Sequence, residues 1–171
     1  MANPIFRYVV ASLSIIFSSG CSGNSRPDAI VTEVGGLPCF AVPENRQTRG
    51  GIPLYGLLVS ERKSSESPSP PSELWSVSVE PAGASIVTRP QSCIRYGETP
   101  AGAEAGAALT LQPYHVYSVD LDARPEDSNV HSYTAEFCIK PAGVGKNVVQ
   151  VIPWNESSKQ WQYDVCNSPQ R

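Results

Sequence analysis

Short runs of alternating apolar and polar residues recur along most of this chain. In Leu74-Trp75-Ser76-Val77-Ser78-Val79, Trp75, Val77 and Val79 fall on one side and Ser76 and Ser78 on the other. That is the two-residue period of a half-buried strand. Tyr117-Ser118-Val119-Asp120-Leu121-Asp122 repeats it, and so does Tyr133-Thr134-Ala135-Glu136-Phe137, which predicts that Glu136 points outward. Further strands are predicted at Ala29–Val34, Pro38–Val42, Leu54–Ser60, Ser85–Thr88, Cys93–Tyr96, Asn147–Ile152 and Gln160–Val165. Pro-Ala-Gly triplets at Pro81, Pro100 and Pro141 mark turns between them, since proline pre-sets φ and glycine tolerates positive φ. With 16 prolines and 13 glycines, long helices have little room. The fold class predicted is all-β.

One apolar run does not alternate. Tyr8 to Phe17 follows Arg7 and ends in Ser18-Ser19-Gly20-Cys21. A membrane-spanning helix needs about 20 apolar residues, so this shorter run reads as an export signal. Residues 1–20 are expected to be a lipoprotein signal peptide removed before Cys21, whose thiol carries the lipid. Ser18 stands where such a site prefers Leu, and an ordinary signal peptidase cutting after Gly20 is the alternative. Cysteine parity bears on the choice. An odd set of five in an oxidising compartment wants an explanation, and lipidation of Cys21 supplies one. Ser22 replaces the Asp that favours inner-membrane retention, so the expected location is the periplasm, anchored by lipid to the outer membrane. Residues 21–28 then form a flexible tether, and 29–171 a single domain.

The formal net charge is −3, and removal of Arg7 leaves the mature chain one unit more acidic. No run of Lys or Arg offers a phosphate-binding surface, which argues against nucleic acid as a partner. Arg62-Lys63, flanked by Glu61 and Glu66, reads as a solvated loop edge. Ser64 to Glu73 is polar and proline-rich, and is expected to be a loop outside the core.

Leu111-Gln112-Pro113-Tyr114-His115-Val116-Tyr117 looks like a tyrosine corner. Leu111 and Pro113 lead into a strand whose first inward residue, Tyr117, bonds back to upstream backbone, as in immunoglobulin-like and fibronectin-III-like sandwiches. The expected fold is such an antiparallel β-sandwich with two disulfides, preceded by a cleaved signal segment and closed by a C-terminal hairpin. The four mature cysteines allow three pairings. Cys39 with Cys93 and Cys138 with Cys166 is the expected one: the first would tie separated strands, the second would pin the C-terminal tail. The cysteines lie far apart in sequence, unlike the close pairs of zinc sites, so no metal is expected.

Little in the sequence points to catalysis. His115 and His131 are the only histidines, and no nucleophile elbow or metalloprotease helix accompanies them. They read as exposed strand-end residues. Asp120 and Asp122 share a strand face that a calcium ion would suit, but solvent-facing alternation explains them more simply. No enzyme activity and no cofactor are expected.

The chain resembles the small periplasmic lipoproteins proposed as immunity proteins for type VI secretion effectors. The resemblance rests on Cys39-Phe40, on Cys93-Ile94-Arg95-Tyr96-Gly97, on Leu111, Tyr117 and Val119, and on Tyr133-Thr134-Ala135-Glu136-Phe137. It covers residues 21 to 140. It implies a protein that neutralises a cognate protein toxin by binding it, a task that needs a stable scaffold and exposed loops. Trp154, Trp161 and Tyr163 are candidate partner-binding residues because aromatic anchors dominate tight interfaces; packing of a C-terminal hairpin on the sheet is the competing explanation. A structural or glycan-binding envelope lipoprotein is the alternative function, and an envelope hydrolase a third.

Overall fold

A computed structural model describes residues 28–62, 71–79, 86–126 and 128–167. The expected signal peptide, Cys21 and Ser22 to Pro27 of the tether lie outside the described residues, as do the Pro81 triplet, Ser85 and most of the 64–73 segment.

The chain runs through β1 (Ile30–Val34), β2 (Leu37–Ala41), β3 (Ile52–Glu61), β4 (Ser72–Ser78), β5 (Ile86–Thr88) and β6 (Ile94–Arg95). It continues through β7 (Glu104–Ala105), β8 (Val116–Ala123), β9 (Tyr133–Pro141), β10 (Asn147–Ile152), β11 (Trp154–Asn155) and β12 (Gln160–Trp161). Among the described residues these strands pair antiparallel. One sheet has the order β1-β2-β6; the larger has the order β10-β9-β8-β3-β4-β7, with β5 also on β3. β11 and β12 form a separate hairpin. Gly35 and Gly36, both at positive φ, make the two-residue turn between β1 and β2 that matches the twist of the strands.

Alternation explains the core. Along β8 every second residue is buried, Tyr117, Val119, Leu121 and Ala123, against Leu57 and Val59 of β3 and Ala135 and Phe137 of β9. The small sheet covers this face. Phe40 of β2 places its ring 5.6 Å from Phe137 and 6.5 Å from Trp75, and Tyr96 stands edge-on to Trp75 at 5.2 Å. Each such ring contributes about 1.5–3 kcal/mol through burial. Asp28 and Ala29 join β9 through Thr134, and the chain then crosses into the small sheet as β1. At the β10 edge of the large sheet, the Glu33 carboxylate of β1 accepts the Val149 backbone N–H at 3.2 Å.

Several expectations are corrected. Glu136 is buried, because the C-terminal segment folds over the outer side of β9. The predicted strand Gln160–Val165 ends at Trp161; Tyr163–Cys166 forms a 3-10 turn instead, the tight geometry that brings Cys166 back to Cys138. Asp28 belongs to the β9 pairing, not to a free tether. Ser72 and Glu73 start β4, not the loop, because they pair with Glu61 and Ser60 across a register shift. Pro141 ends β9, and the turn follows it, closed by Ala142 N–H donating to the Lys146 carbonyl at 2.8 Å. His131 precedes its strand, which begins at Tyr133. The short β7 has no alternating pattern long enough to announce it.

Candidate functional site

Two regions outside the core gather the candidate residues, and the first is the C-terminal cover. Cys138 faces away from the core on β9 and is joined to Cys166. The Lys140 ammonium donates to the Val165 carbonyl at 3.1 Å, and Ile152, Trp161, Tyr163 and Val165 pack around the disulfide. Beneath this cover lies Glu136. Arg62 donates through Nη1 to Glu136 Oε1 and holds its guanidinium 5.5 Å above the Tyr163 ring. Burial pushes the Glu136 carboxyl above its ordinary range, while the Tyr163 hydroxyl and Arg62 pull it back. Tyr163 is shifted upward as well, by burial and then by the neighbouring carboxylate. The proposed partner-binding residues therefore divide. Tyr163 is half-buried in the cover, Trp161 packs against the disulfide cluster, and Trp154 is exposed on the hairpin, edge-on to Trp161 at 5.3 Å. The hairpin's turn is closed by Asn155 Oδ1, which accepts the Ser157 and Ser158 backbone N–H groups at 2.9 and 3.1 Å.

The second region is the connection from β7 to β8. The Tyr117 hydroxyl donates to the Gln112 carbonyl at 3.0 Å and accepts the Gln112 N–H at 2.6 Å, five residues upstream. Leu111 packs against the core, Pro113 bridges to Ile139, and Tyr114 takes φ 64° as the chain turns into β8. A second tyrosine, not singled out in the sequence, acts on the same segment. The Tyr96 hydroxyl donates to the Leu109 carbonyl at 2.8 Å, while the Leu109 N–H donates to the Leu74 carbonyl at 3.0 Å. Burial pushes Tyr96 up to about 12. Tyr96 ends the quoted Cys93-to-Tyr96 run, where its aromatic character was the available signal. The Cys39–Cys93 disulfide holds that run to β2, with its Cα atoms 5.4 Å apart.

The remaining candidates are dispersed. His115 Nδ1 lies 2.5 Å from Glu61 Oε1 at an exposed corner, and His131 is exposed on the loop before β9. Asp122 takes a two-pronged bond from Arg124 at 2.9 Å per contact, and Arg124 in turn lies 4.8 Å over the Tyr55 ring. Among the described residues no group of three or more His, Cys, Asp and Glu side chains is placed to hold a metal ion. An open depression of about 590 Å³ on the outer face of the large sheet is lined by Leu58, Ser60, Arg62, Glu73, Ser118 and Asp120, with Glu73 accepting from Ser76 at 2.6 Å.

No family model matches the chain, and no curated protein or solved structure matches it significantly.

Proposed function

We propose that this chain is an exported envelope lipoprotein that acts as an immunity protein, binding and neutralising a protein toxin delivered by a bacterial secretion system, the type VI system being the expected one. Its core reads as an immunoglobulin-like or fibronectin-III-like sandwich. The consecutive neighbours β3, β8 and β9 correspond to strands C, F and G of that design, β1, β2 and β6 supply the facing sheet, and Tyr117 stands near the start of the F-like strand with its hydroxyl bonded upstream.

One observation carries the functional reading: segment 108–113 is largely exposed, yet its backbone is fixed by the hydroxyls of Tyr96 and Tyr117. A surface segment ordered before binding loses less conformational freedom on association, which favours tight recognition. Lipid at Cys21 would hold this scaffold at the envelope and raise its local concentration where a cell-wall or membrane toxin acts.

The test is expression of the adjacent gene in the periplasm with and without this protein. Growth arrest relieved by the lipoprotein, with a stoichiometric complex of the purified pair, is the expected result; arrest unaffected by it, with no complex, removes the assignment. Cys21→Ser is expected to abolish fatty-acid labelling and leave a folded domain. Labelling that persists would refute lipidation there.

A further inference from the structure

The C-terminal cover is built as a strap pinned at both ends. One end leaves β10 at Pro153, and the other returns to β9 through the Cys138–Cys166 disulfide. Between these points the described backbone hydrogen bonds close on the strap itself. β11 pairs with β12, the Gln162 N–H donates to the Pro153 carbonyl at 3.0 Å, and the Asn167 N–H donates to the Asp164 carbonyl at 3.1 Å. Side chains make its contact with the large sheet. Lys140 reaches the Val165 carbonyl, and Tyr163 is set against Glu136 with the Arg62 guanidinium over its ring. A segment bonded internally and docked by a few side chains can open locally while the rest of the domain stays folded.

The docking point is a carboxyl group in a poor place for charge. The Glu136 side chain is 5% exposed. Arg62 donates to Oε1, but Oε2 and the Tyr163 hydroxyl are both shut off from solvent without a hydrogen-bonded partner among the described residues. Ionisation therefore puts a charge where solvation is lost and one acceptor goes unmet, a cost the neutral acid largely avoids. The surrounding groups do little to relieve it. β8 and β10 pair with Glu136 through Ser118 and Ile152. Lys140, on the same side of β9, is turned to Val165; Asp164 is exposed on the 3-10 turn; Asp120 stands beyond Ser118, opposite Thr134. Glu61 and His115 engage each other at the outer corner. Burial accordingly dominates and raises the carboxyl above its ordinary range, with Tyr163 and Arg62 offsetting only part of it.

We propose that Glu136 is a proton-operated latch: the strap 153–165 stays seated on β9 while this carboxyl is protonated, and lifts more often once it ionises, because lifting lets water solvate the charge. The proton released goes to solvent. Trp154 and Trp161 ride on the strap, so the freedom of the hairpin follows pH. The carboxyl titrates higher when the strap is seated than when it is lifted. Seating is thus strongest below pH 4.5 and weakens as pH rises to the seated-state value, by about tenfold for each pH unit between them. This switch is independent of the proposed toxin binding.

Hydrogen exchange of the full, disulfide-bonded chain, corrected for the intrinsic effect of pH, reads the lifting. A two-stranded hairpin of this size is marginal on its own in water, so a lifted strap exchanges its amides. The amides of 160–167 are expected to lose protection by that factor as pH rises from 4.5, while those of β8 keep theirs. Glu136→Gln preserves the side chain's size and removes its charge, and its strap is expected to show no such dependence. The same pH profile in wild type and variant overturns the latch, and so does protection that grows with pH. Should the variant fail to fold, carbon-13 NMR of the wild-type Glu136 carboxyl decides the point: titration above 4.5 is expected, and titration at or below 4.5 overturns the latch.

Discussion

One disulfide ties β2 to the run before β6 within the small sheet and the other pins the cover on the outer side of β9, yet the interior between the sheets and the cover are held by different forces. Between the sheets, Phe40, Trp75, Tyr96, Tyr117 and Phe137 form one continuous aromatic network with aliphatic side chains from most strands. Under the cover the fully buried set is Cys138, Ile152 and Cys166, beside the charged pair Arg62 and Glu136. Glu136 is buried while Arg62 is half-exposed, so solvent screens their attraction while the carboxylate still carries a desolvation cost, and the pair returns little net stability. The interior therefore rests on apolar packing across the sheets, whereas the cover, with its smaller buried set, leans more on its disulfide.

The largest change that tests this contrast is Phe40→Ala. It removes the ring that joins the two sheets, and a loss of about 3–5 kcal/mol is expected, read from urea unfolding. A loss below about 1 kcal/mol would mean that the sheets do not rely on each other. Replacing Cys138 and Cys166 together by Ala should cost somewhat less, about 2–4 kcal/mol, for a link spanning 28 residues. Limited proteolysis should then cut within 153–167 while β1 to β9 stay protected. Protection of the tail in that variant would show that packing alone retains the cover.

The smallest expected effect is electrostatic. Burial raises the Glu136 carboxyl above 4.5, so its ionised form is less stable in the folded chain than in the unfolded one. Its contribution is then most favourable below pH 4.5 and is lost as pH rises through the folded-state value. Glu136→Gln removes this dependence. The stability of the wild type minus that of the variant should fall as pH rises from 4.5 through the raised folded-state value. A difference that grows with pH would show that Arg62 outweighs burial.

The same division decides what could be read from the chain. Strands facing the interior announce themselves, because one side of β8 or β4 is buried and the other is not, and two-residue alternation records that directly. The Cys39–Cys93 and Cys138–Cys166 links are those expected from the strand positions. The cover was not legible. Glu136 carries the polar signature of an outward position, and the groups placed against it, Tyr163 and Arg62, reach it only through the tertiary fold. Likewise the 3-10 turn at Tyr163–Cys166 ends at a cysteine whose partner lies 28 residues upstream, a long-range link that a two-residue alternation does not record. Among the candidate residues, Tyr117 was marked by its Leu-x-Pro approach, whereas the matching role of Tyr96 depends on Leu109 passing over it, which no local pattern encodes.

Glu33 has a consequence for how copies of this protein behave together. The outermost strand of the large sheet would otherwise present the Val149 amide to any extended chain that drifted alongside, and an acidic oxygen from β1 already occupies that place. A neighbouring molecule is met there by a carboxylate instead of an unsatisfied donor, which disfavours strand addition at that position.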